Sequence, residues 1–386
     1  MRNIYLDNAS TTKPSKEVID EMTKYLSANW ENPSSLYARA NDAKQVIKNA
    51  RKTIGNFINA NENEIYFTSC GSESNCWAIQ GFVKQVMNDG GFPFVITTSI
   101  EHKSIMECVR SLNSSFNSVA SAFINVDNDG FVDAKQLKSA LEWGIGYTDI
   151  NCILVSIQLA NNEIGTIQDI KTISDIVNGY GATLHVDAVQ AFGHIPIDVK
   201  DMGIDMLSAS AHKINAAKGT GILYKSSGVQ IQPIIYGSQN NGLRGGTEDV
   251  AGIAGMAKAV ELADMSLDSK LEMCLVQDYF INELEHIGCK LNGSKSNRLQ
   301  NNINVILPEG VGGEELLYML DLAGIQCSTG SACNSRSKEP SYVLKAIGLS
   351  DEECARSVRF TISSDITFYD VDNVINEISK AIKVIC

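Results

Sequence analysis

The chain has 386 residues, and its 32 lysines and arginines against 45 aspartates and glutamates give a formal charge of −13. That excess of acid excludes nucleic acid or an anionic membrane surface as the main partner, because either needs a basic face. Hydrophobic residues at 44% and charged residues at 20% describe a globular protein with a sizeable core, built as two domains or as one large domain with a smaller companion.

From about residue 15 to 249, helical and strand-like segments alternate. S-K-E-V-I-D-E-M-T-K-Y-L (15–26) and the segment 36–58 have helical spacing. Short apolar runs follow at 64–68, 94–98, 152–157, 182–187, 206–210 and 221–224, most of them separated by helical stretches. Their lack of period-two alternation predicts strands buried on both faces, hence an α/β fold with a mostly parallel sheet and helices on each side. The glycine- and asparagine-rich run 236–246 predicts a loop and a boundary. Beyond it, helices at about 249–287 and 314–320, strands at 302–307 and 357–362 and a last helix predict a smaller α+β domain.

The opening residues hold no stretch long enough for a signal peptide, and no segment has the roughly 18 uninterrupted apolar residues of a membrane span. A cytoplasmic location is therefore expected. The 10 cysteines form no C-x-x-C pair and the 5 histidines no ligand pattern, so neither a disulfide framework nor a metal site is expected. The phosphate-loop and dinucleotide glycine signatures are also absent.

Several residues then gather at predicted strand ends. T-S-C-G-S-E-S-N (68–75) passes from a strand into a helix, and the free amides near Gly71, with the Ser72 hydroxyl, suit a phosphate; an ordinary serine cap is the plainer reading. Asp187 ends an apolar strand, where its carboxylate needs a positive partner, whether a ligand or a structural ion pair. Lys213 follows the next strand, after Ser210 and His212. A lysine for a Schiff base, an aspartate for a pyridinium nitrogen and a phosphate cradle are what pyridoxal 5'-phosphate requires. Lys218 reads as an exposed loop residue. His102, past the strand at 94–98, either stacks on a flat ring, carries protons or is structural. Cys333 lies in C-S-T-G-S-A-C-N-S-R-S-K-E-P (327–340), whose composition predicts an exposed loop carrying a nucleophilic thiol, whereas Cys327 reads as buried. Arg359, on a strand, suits a substrate carboxylate or an interdomain ion pair.

These motifs, with Y-L-D-N-A-S-T-T, N-N-E-I-G-T-I-Q-D, L-R-G-G-T-E-D-V and E-P-S-Y-V-L-K-A-I-G, follow one another as in a known family. The chain resembles the cysteine desulfurases of iron–sulfur cluster assembly, within the class V aminotransferase group of fold-type I pyridoxal phosphate enzymes. The resemblance implies a large cofactor-binding domain (15–249) and a small domain (1–14 and 250–386) carrying a mobile catalytic-cysteine loop at about 327–340. It implies that Lys213 forms the Schiff base and Asp187 pairs with the pyridine nitrogen. Gln190 and Asn162 would lie beside the ring hydroxyl, with His102 stacked on the ring. Gly71, Ser72, Ser210 and His212 would hold the phosphate. Thr247 would reach the phosphate of a neighbouring subunit, so a homodimer with shared sites is expected. Arg359 and Asn162 would bind the carboxylate of L-cysteine. Cys333 would take its sulfur as a persulfide, release L-alanine and pass the sulfur to an acceptor protein such as an iron–sulfur scaffold. Selenocysteine lyase, cysteine sulfinate desulfinase and a non-catalytic binding relative are the alternatives. The chain departs from the family pattern at Cys70, Cys76, Ala211 and in the run Asn215-Ala216-Ala217.

Overall fold

A computed structural model describes residues 3–116, 118–263, 267–330 and 339–385. The strands, in chain order, are β1 (Ile4–Tyr5), β2 (Ile65–Thr68), β3 (Phe94–Thr98), β4 (Ala120–Ile124), β5 (Ile153–Gln158), β6 (Thr183–Asp187), β7 (Met206–Ser210), β8 (Gly221–Lys225), β9 (Lys290–Leu291), β10 (Asn302–Ile306), β11 (Ile325–Gln326) and β12 (Ser357–Thr361). Seven of them form the central sheet in the order β2-β8-β7-β6-β5-β3-β4. Pairing is parallel from β7 through β6, β5 and β3 to β4, while β8 runs antiparallel to both β7 and β2. This is the α/β architecture predicted by the unalternated apolar runs. Every residue of β2, β3, β5, β7 and β8 is buried, as a sheet covered on both faces requires.

Helices α1 (Lys16–Ser27), α2 (Ala38–Phe57), α3 (Gly71–Asn88), α4 (Lys103–Ser115), α5 (Ala134–Tyr147), α6 (Ile170–Tyr180) and α7 (Val250–Leu262) surround this sheet. Most start at a residue that suits the job: Ser15 caps α1, Asp133 caps α5, Asp169 caps α6 and Asp249 caps α7, each through its side-chain oxygen. One face of the sheet carries a core of α1, α2, α5, α6 and α7 side chains. The opposite face is covered by α3 and α4, whose Trp77, Ile79, Phe82, Ile105 and Val109 pack on Val95, Leu154 and Leu223. Helix α7, expected with the C-terminal part, instead places Val250, Ile253, Met256 and Val260 in the core of the central sheet, against α1 and α2.

The remaining chain builds a second core. Antiparallel β12-β10-β9 and the parallel pair β1-β11 are packed by α8 (Leu267–His286), α9 (Gly313–Leu322) and α12 (Phe368–Ile385), while α10 (Tyr342–Ala346) and α11 (Asp351–Ala355) form a smaller cluster with Ile100 and Ile164. Ile4 and Leu6 from the start of the chain are buried in it beside Phe280, Val305, Phe360 and Val374. The first residues therefore belong spatially with the last hundred.

Candidate active site

The sheet's polarity fixes where side chains from distant segments converge. β3, β5, β6 and β7 all run the same way, so their carboxyl ends open on one edge, and the turns that leave them meet there. A cavity of about 240 Å³ lies at that edge. Its wall brings together Gly71, Ser72, His102, Asn162, Asp187, Gln190, Ser210, His212, Lys213 and Arg359, ten residues expected from the sequence. Ala9, Ser10, Cys70, Asn75, Gln158, Ala160 and Val189 complete it. Thr247 is exposed and is not part of this wall. Cys333 lies outside the described residues.

Asp187 ends β6 and is buried. Both its oxygens are engaged: the Asn75 amide donates to Oδ2 at 2.7 Å, and the Val189 backbone N–H donates to Oδ1 at 2.9 Å. Burial pushes its pKa up, and His102, these donors and Lys213 pull against that. The carboxylate is thus aimed and held.

His102 sits at the N-cap of α4. The Ser104 backbone N–H donates to its Nδ1 at 3.2 Å, and the Ser104 hydroxyl lies 2.8 Å from the same atom. With Nδ1 accepting, the neutral ring carries its proton on Nε2. Burial holds its pKa below the usual histidine value, so the ring is neutral at pH 7. Asn75 also donates to Ser104 Oγ at 3.0 Å, so one amide braces both the aspartate and the histidine.

The end of the cavity at α3 suits an anion. This 18-residue helix starts at Gly71 with no side chain capping its free amides. A Cβ at Gly71 would come within 2.5 Å of the Val189 side chain, so only glycine lets the helix start this close to β6. Across the gap, Ser210 Oγ is buried and has no hydrogen-bond partner. His212 is held by Thr11 Oγ1 at 3.2 Å, and burial, with Lys213 and Lys218 nearby, pushes its pKa down to about 4.

Lys213 follows β7. Its Nζ donates to the Ala9 carbonyl and, at 2.8 Å, to the Ser10 carbonyl. Gln190 Nε2 donates to the same Ala9 carbonyl at 3.0 Å. Lys218 is exposed, as its sequence setting suggests. The turn after Lys213, in the run Asn215-Ala216-Ala217, uses Asn215 at φ 62°, a left-handed conformation that asparagine tolerates. The Asn215 amides are tied to Thr12 Oγ1 and the Lys13 carbonyl, so the substituted turn remains fastened to the N-terminal segment.

Arg359 enters from β12 and is 1% exposed. It donates to Asp7 Oδ1 at 2.7 Å, to Ser10 Oγ at 3.1 Å and to the Asn162 carbonyl at 2.9 Å, while its Nε is buried without a partner. The ion pair it makes is with Asp7, within the part of the chain assigned to the small domain and not across the expected domain boundary. Cys327, half-buried nearby, has its thiol pushed up to about 12 by burial. Asn75, Ser104, Asp7 and Ala9 were not among the predicted site residues. Asn75, Asp7 and Ala9 lay within quoted motifs, and for Asn75 an asparagine on a helix that starts at the cavity was the available signal.

The aminotransferase class-V family model matches residues 4–374. The chain is 42% identical to a cysteine desulfurase IscS of Dictyoglomus turgidum, over 99% of this chain and 95% of the relative. It is 41% identical to a cysteine desulfurase IscS of Methanosarcina thermophila, over 98% and 92% of the two chains. Among solved structures it resembles a NifS-like protein at a TM-score of 0.89 and 30% identity, covering 99% of this chain and 100% of that one. A structure described as SspA in complex with cysteine matches at a TM-score of 0.81 and 32% identity, over 93% and 98%.

Proposed function

The chain belongs to the class-V aminotransferase family, and from that premise we propose that it is a pyridoxal-phosphate-dependent cysteine desulfurase that converts L-cysteine to L-alanine and passes the sulfur on. The observation that carries this reading is the convergence, in one cavity, of Lys213, Asp187, an uncapped helix start and Arg359. The cavity fits the cofactor by its own chemistry. Ser210 Oγ, buried without a partner, and the free amides at Gly71 and Ser72 are what a phosphate would satisfy.

In this reading Lys213 would be the covalent anchor, and Asp187 would hold a proton on the pyridine nitrogen. His102 would cover the ring as a neutral imidazole, with Gln190 and Asn162 beside the ring hydroxyl. Gly71, Ser72, Ser210 and His212 would hold the phosphate. Bound pyridoxal phosphate supplies an electron sink for the substrate's carbon skeleton. Arg359, already buried and oriented by Asp7, takes the substrate carboxylate with Asn162 beside it. The Cys333 thiolate attacks the sulfur of the bound cysteine: an S–S bond forms, the C–S bond breaks, and the carbon skeleton takes up protons to leave as L-alanine. The Cys333 persulfide then serves an acceptor protein such as an iron–sulfur scaffold. Thr247, exposed and away from this cavity, is assigned to the phosphate site of a second copy in a homodimer. Among the described residues no helix is long and apolar enough to cross a membrane, and a cytoplasmic location is part of the proposal.

The test is to purify the protein with pyridoxal phosphate, record its visible spectrum, add L-cysteine and assay alanine and sulfide. A yellow protein that forms alanine, and that stops doing so on Cys333→Ser, supports the assignment. A Cys333→Ser variant that desulfurates cysteine as fast as the parent overturns the persulfide step. Equal or faster turnover of selenocysteine or cysteine sulfinate would move the chain to a sibling chemistry, and a colourless protein would mark it as a binding relative.

A further inference from the structure

The turn that carries Asn162 follows β5 out of the central sheet, yet it is fastened to the second core. Its N–H groups are satisfied from within. Asn161 Oδ1 accepts from the Glu163 N–H at 2.8 Å and the Ile164 N–H at 2.9 Å, and the Gly165 N–H donates to the Asn161 carbonyl. Its carbonyls look outward. Three in succession accept from side chains of the C-terminal part: Asn162 O from Asn302 Nδ2 at 3.2 Å, Glu163 O from Asn304 Nδ2 at 3.1 Å, and Ile164 O from Arg298 Nη2 at 3.0 Å. The backbone continues the seam, with the Leu299 N–H donating to the Gly165 carbonyl at 2.9 Å. Gly165 permits this approach, since a Cβ there would lie 3.0 Å from the Asn302 side chain.

Asn302 is the member of this set nearest the chemistry. The Asn162 carbonyl it holds also accepts from Arg359 Nη1 at 2.9 Å, so the two side chains share one acceptor. β10 and β12 are neighbouring antiparallel strands, with Asn302 opposite Thr361 and Asn304 opposite Arg359. The donors to the turn and the arginine therefore stand on one piece of sheet. Asn302 is buried, and its Oδ1 has no hydrogen-bond partner. A buried acceptor left unpaired is unfavourable, so for stability alone an apolar side chain would serve better at this position. What accounts for the amide is its donor, which reaches the Asn162 carbonyl.

We propose that Asn302 is a positioning residue for the carboxylate of the amino-acid substrate: it sets the Asn162 carbonyl against which Arg359 is oriented, and so mounts that pair on the C-terminal core. The role rests on the reading that Arg359 and Asn162 take the carboxylate. The cavity then has two mountings. Asp187 and Ser210 end β6 and β7 of the central sheet, whereas Asn162 and Arg359 are held from β10 and β12. Without the Asn302 amide, the Asn162 carbonyl keeps Arg359 as its donor but loses the contact that fixes its direction. Amino-acid binding should then weaken, while cofactor binding, mounted on the central sheet, should persist.

The test titrates the intact protein, loaded with pyridoxal phosphate, with L-alanine, which carries the carboxylate but no sulfur, and follows the visible spectrum of the cofactor. Asn302→Leu keeps the approximate shape and removes both the donor and the unpaired oxygen. It should need about 5- to 10-fold more L-alanine than the parent, the loss of one ordinary hydrogen bond. Its KM for L-cysteine should rise by the same factor with kcat little changed. Its affinity for pyridoxal phosphate should match the parent's, and its urea midpoint without cofactor should be equal or higher. Asn302→Ser, too short to reach the carbonyl, should show the same shift in L-alanine and stands in where leucine blocks folding. Variants that respond to L-alanine at the parent's concentrations overturn the role. So does a parallel loss of amino-acid affinity, cofactor affinity and stability in both variants, the pattern of a purely structural residue. A parent spectrum unmoved by L-alanine overturns the carboxylate site and this role with it. Sulfide release from L-cysteine is read separately, so a failure of desulfuration in the parent is distinguishable from a failure of Asn302 to position the pair.

Discussion

Asn75 Nδ2 donates to Asp187 Oδ2 at 2.7 Å from a helix that begins four residues earlier at the mouth of the cavity. The carboxylate that would hold the cofactor ring is therefore aimed by the same helix whose start would hold the phosphate. A hydrogen bond to a charged group is worth about 1.5–3 kcal/mol. Asn75→Ala should accordingly weaken pyridoxal phosphate binding by roughly 10- to 100-fold. It should also push the Asp187 pKa further up, so that on acidification the visible spectrum changes at a higher pH than in the parent. Titration of the cofactor-free protein, read by absorbance at several pH values, measures both effects.

Ser210 offers a contrast between stability and binding. Its Oγ is buried with no protein partner, so removing it relieves an unsatisfied polar atom. Ser210→Ala should leave the cofactor-free protein as stable as the parent or slightly more so. Its affinity for pyridoxal phosphate should fall by about 5- to 10-fold, the loss of one ordinary hydrogen bond of about 1 kcal/mol. Urea unfolding without cofactor and a binding titration with it should move in opposite directions.

At Arg359 the guanidinium is spread over Asp7, Ser10 and the Asn162 carbonyl, a geometry that a point charge cannot copy. Arg359→Lys should raise KM for L-cysteine by about 100-fold, near the lower end of what a broken buried charge contact costs. Cofactor binding should be little changed. Steady-state alanine formation beside an absorbance titration separates the two.

Glu101 gives the protein a pH dependence of its own. It is fully buried, accepts hydrogen bonds from the Thr98 hydroxyl at 2.7 Å and the Gln158 N–H at 3.1 Å, and burial pushes its pKa up to about 8. The folded state keeps this proton while the unfolded chain loses it near 4.5, so stability falls as pH rises through that window, by up to about 1.4 kcal/mol per unit. Glu101→Gln keeps the shape and the neutral state, and should remove that slope. Urea midpoints of parent and variant, without cofactor, should diverge between pH 5 and pH 8, with the variant holding its stability; parallel curves would refute the assignment.

Much of the site was legible because its groups follow buried strands. Asp187, Ser210 and Lys213 come straight after apolar runs whose shared direction brings their ends to one edge, so local pattern alone orders them. Asn75 was not, since it acts on Asp187 across 112 residues, a partner brought near only by packing of the helix on the sheet. The Asp7 contact with Arg359 spans 352 residues and has no local signal. In the fold, the strand Ala120–Ile124 went unread because it pairs on one side only and stays partly exposed, so it lacks the dense apolar run of its neighbours. Helix α7, rich in alanine and glycine, is buried along most of its length. Such a helix has no polar face to say which core it serves.

The first dozen residues carry a consequence for how the protein is made. Ala9 and Ser10 hold Lys213, Thr12 bonds the His212 carbonyl, and Asn8 Nδ2 donates to the Thr361 carbonyl at 2.8 Å, while β1 pairs with β11. These residues leave the ribosome well before their partners β11 and β12. The central sheet can form behind them while they wait, because none of its strands needs them. The pocket is therefore finished only when this segment meets β11 and β12, and a nascent chain stalled before residue 361 would hold the lysine without the floor beneath it.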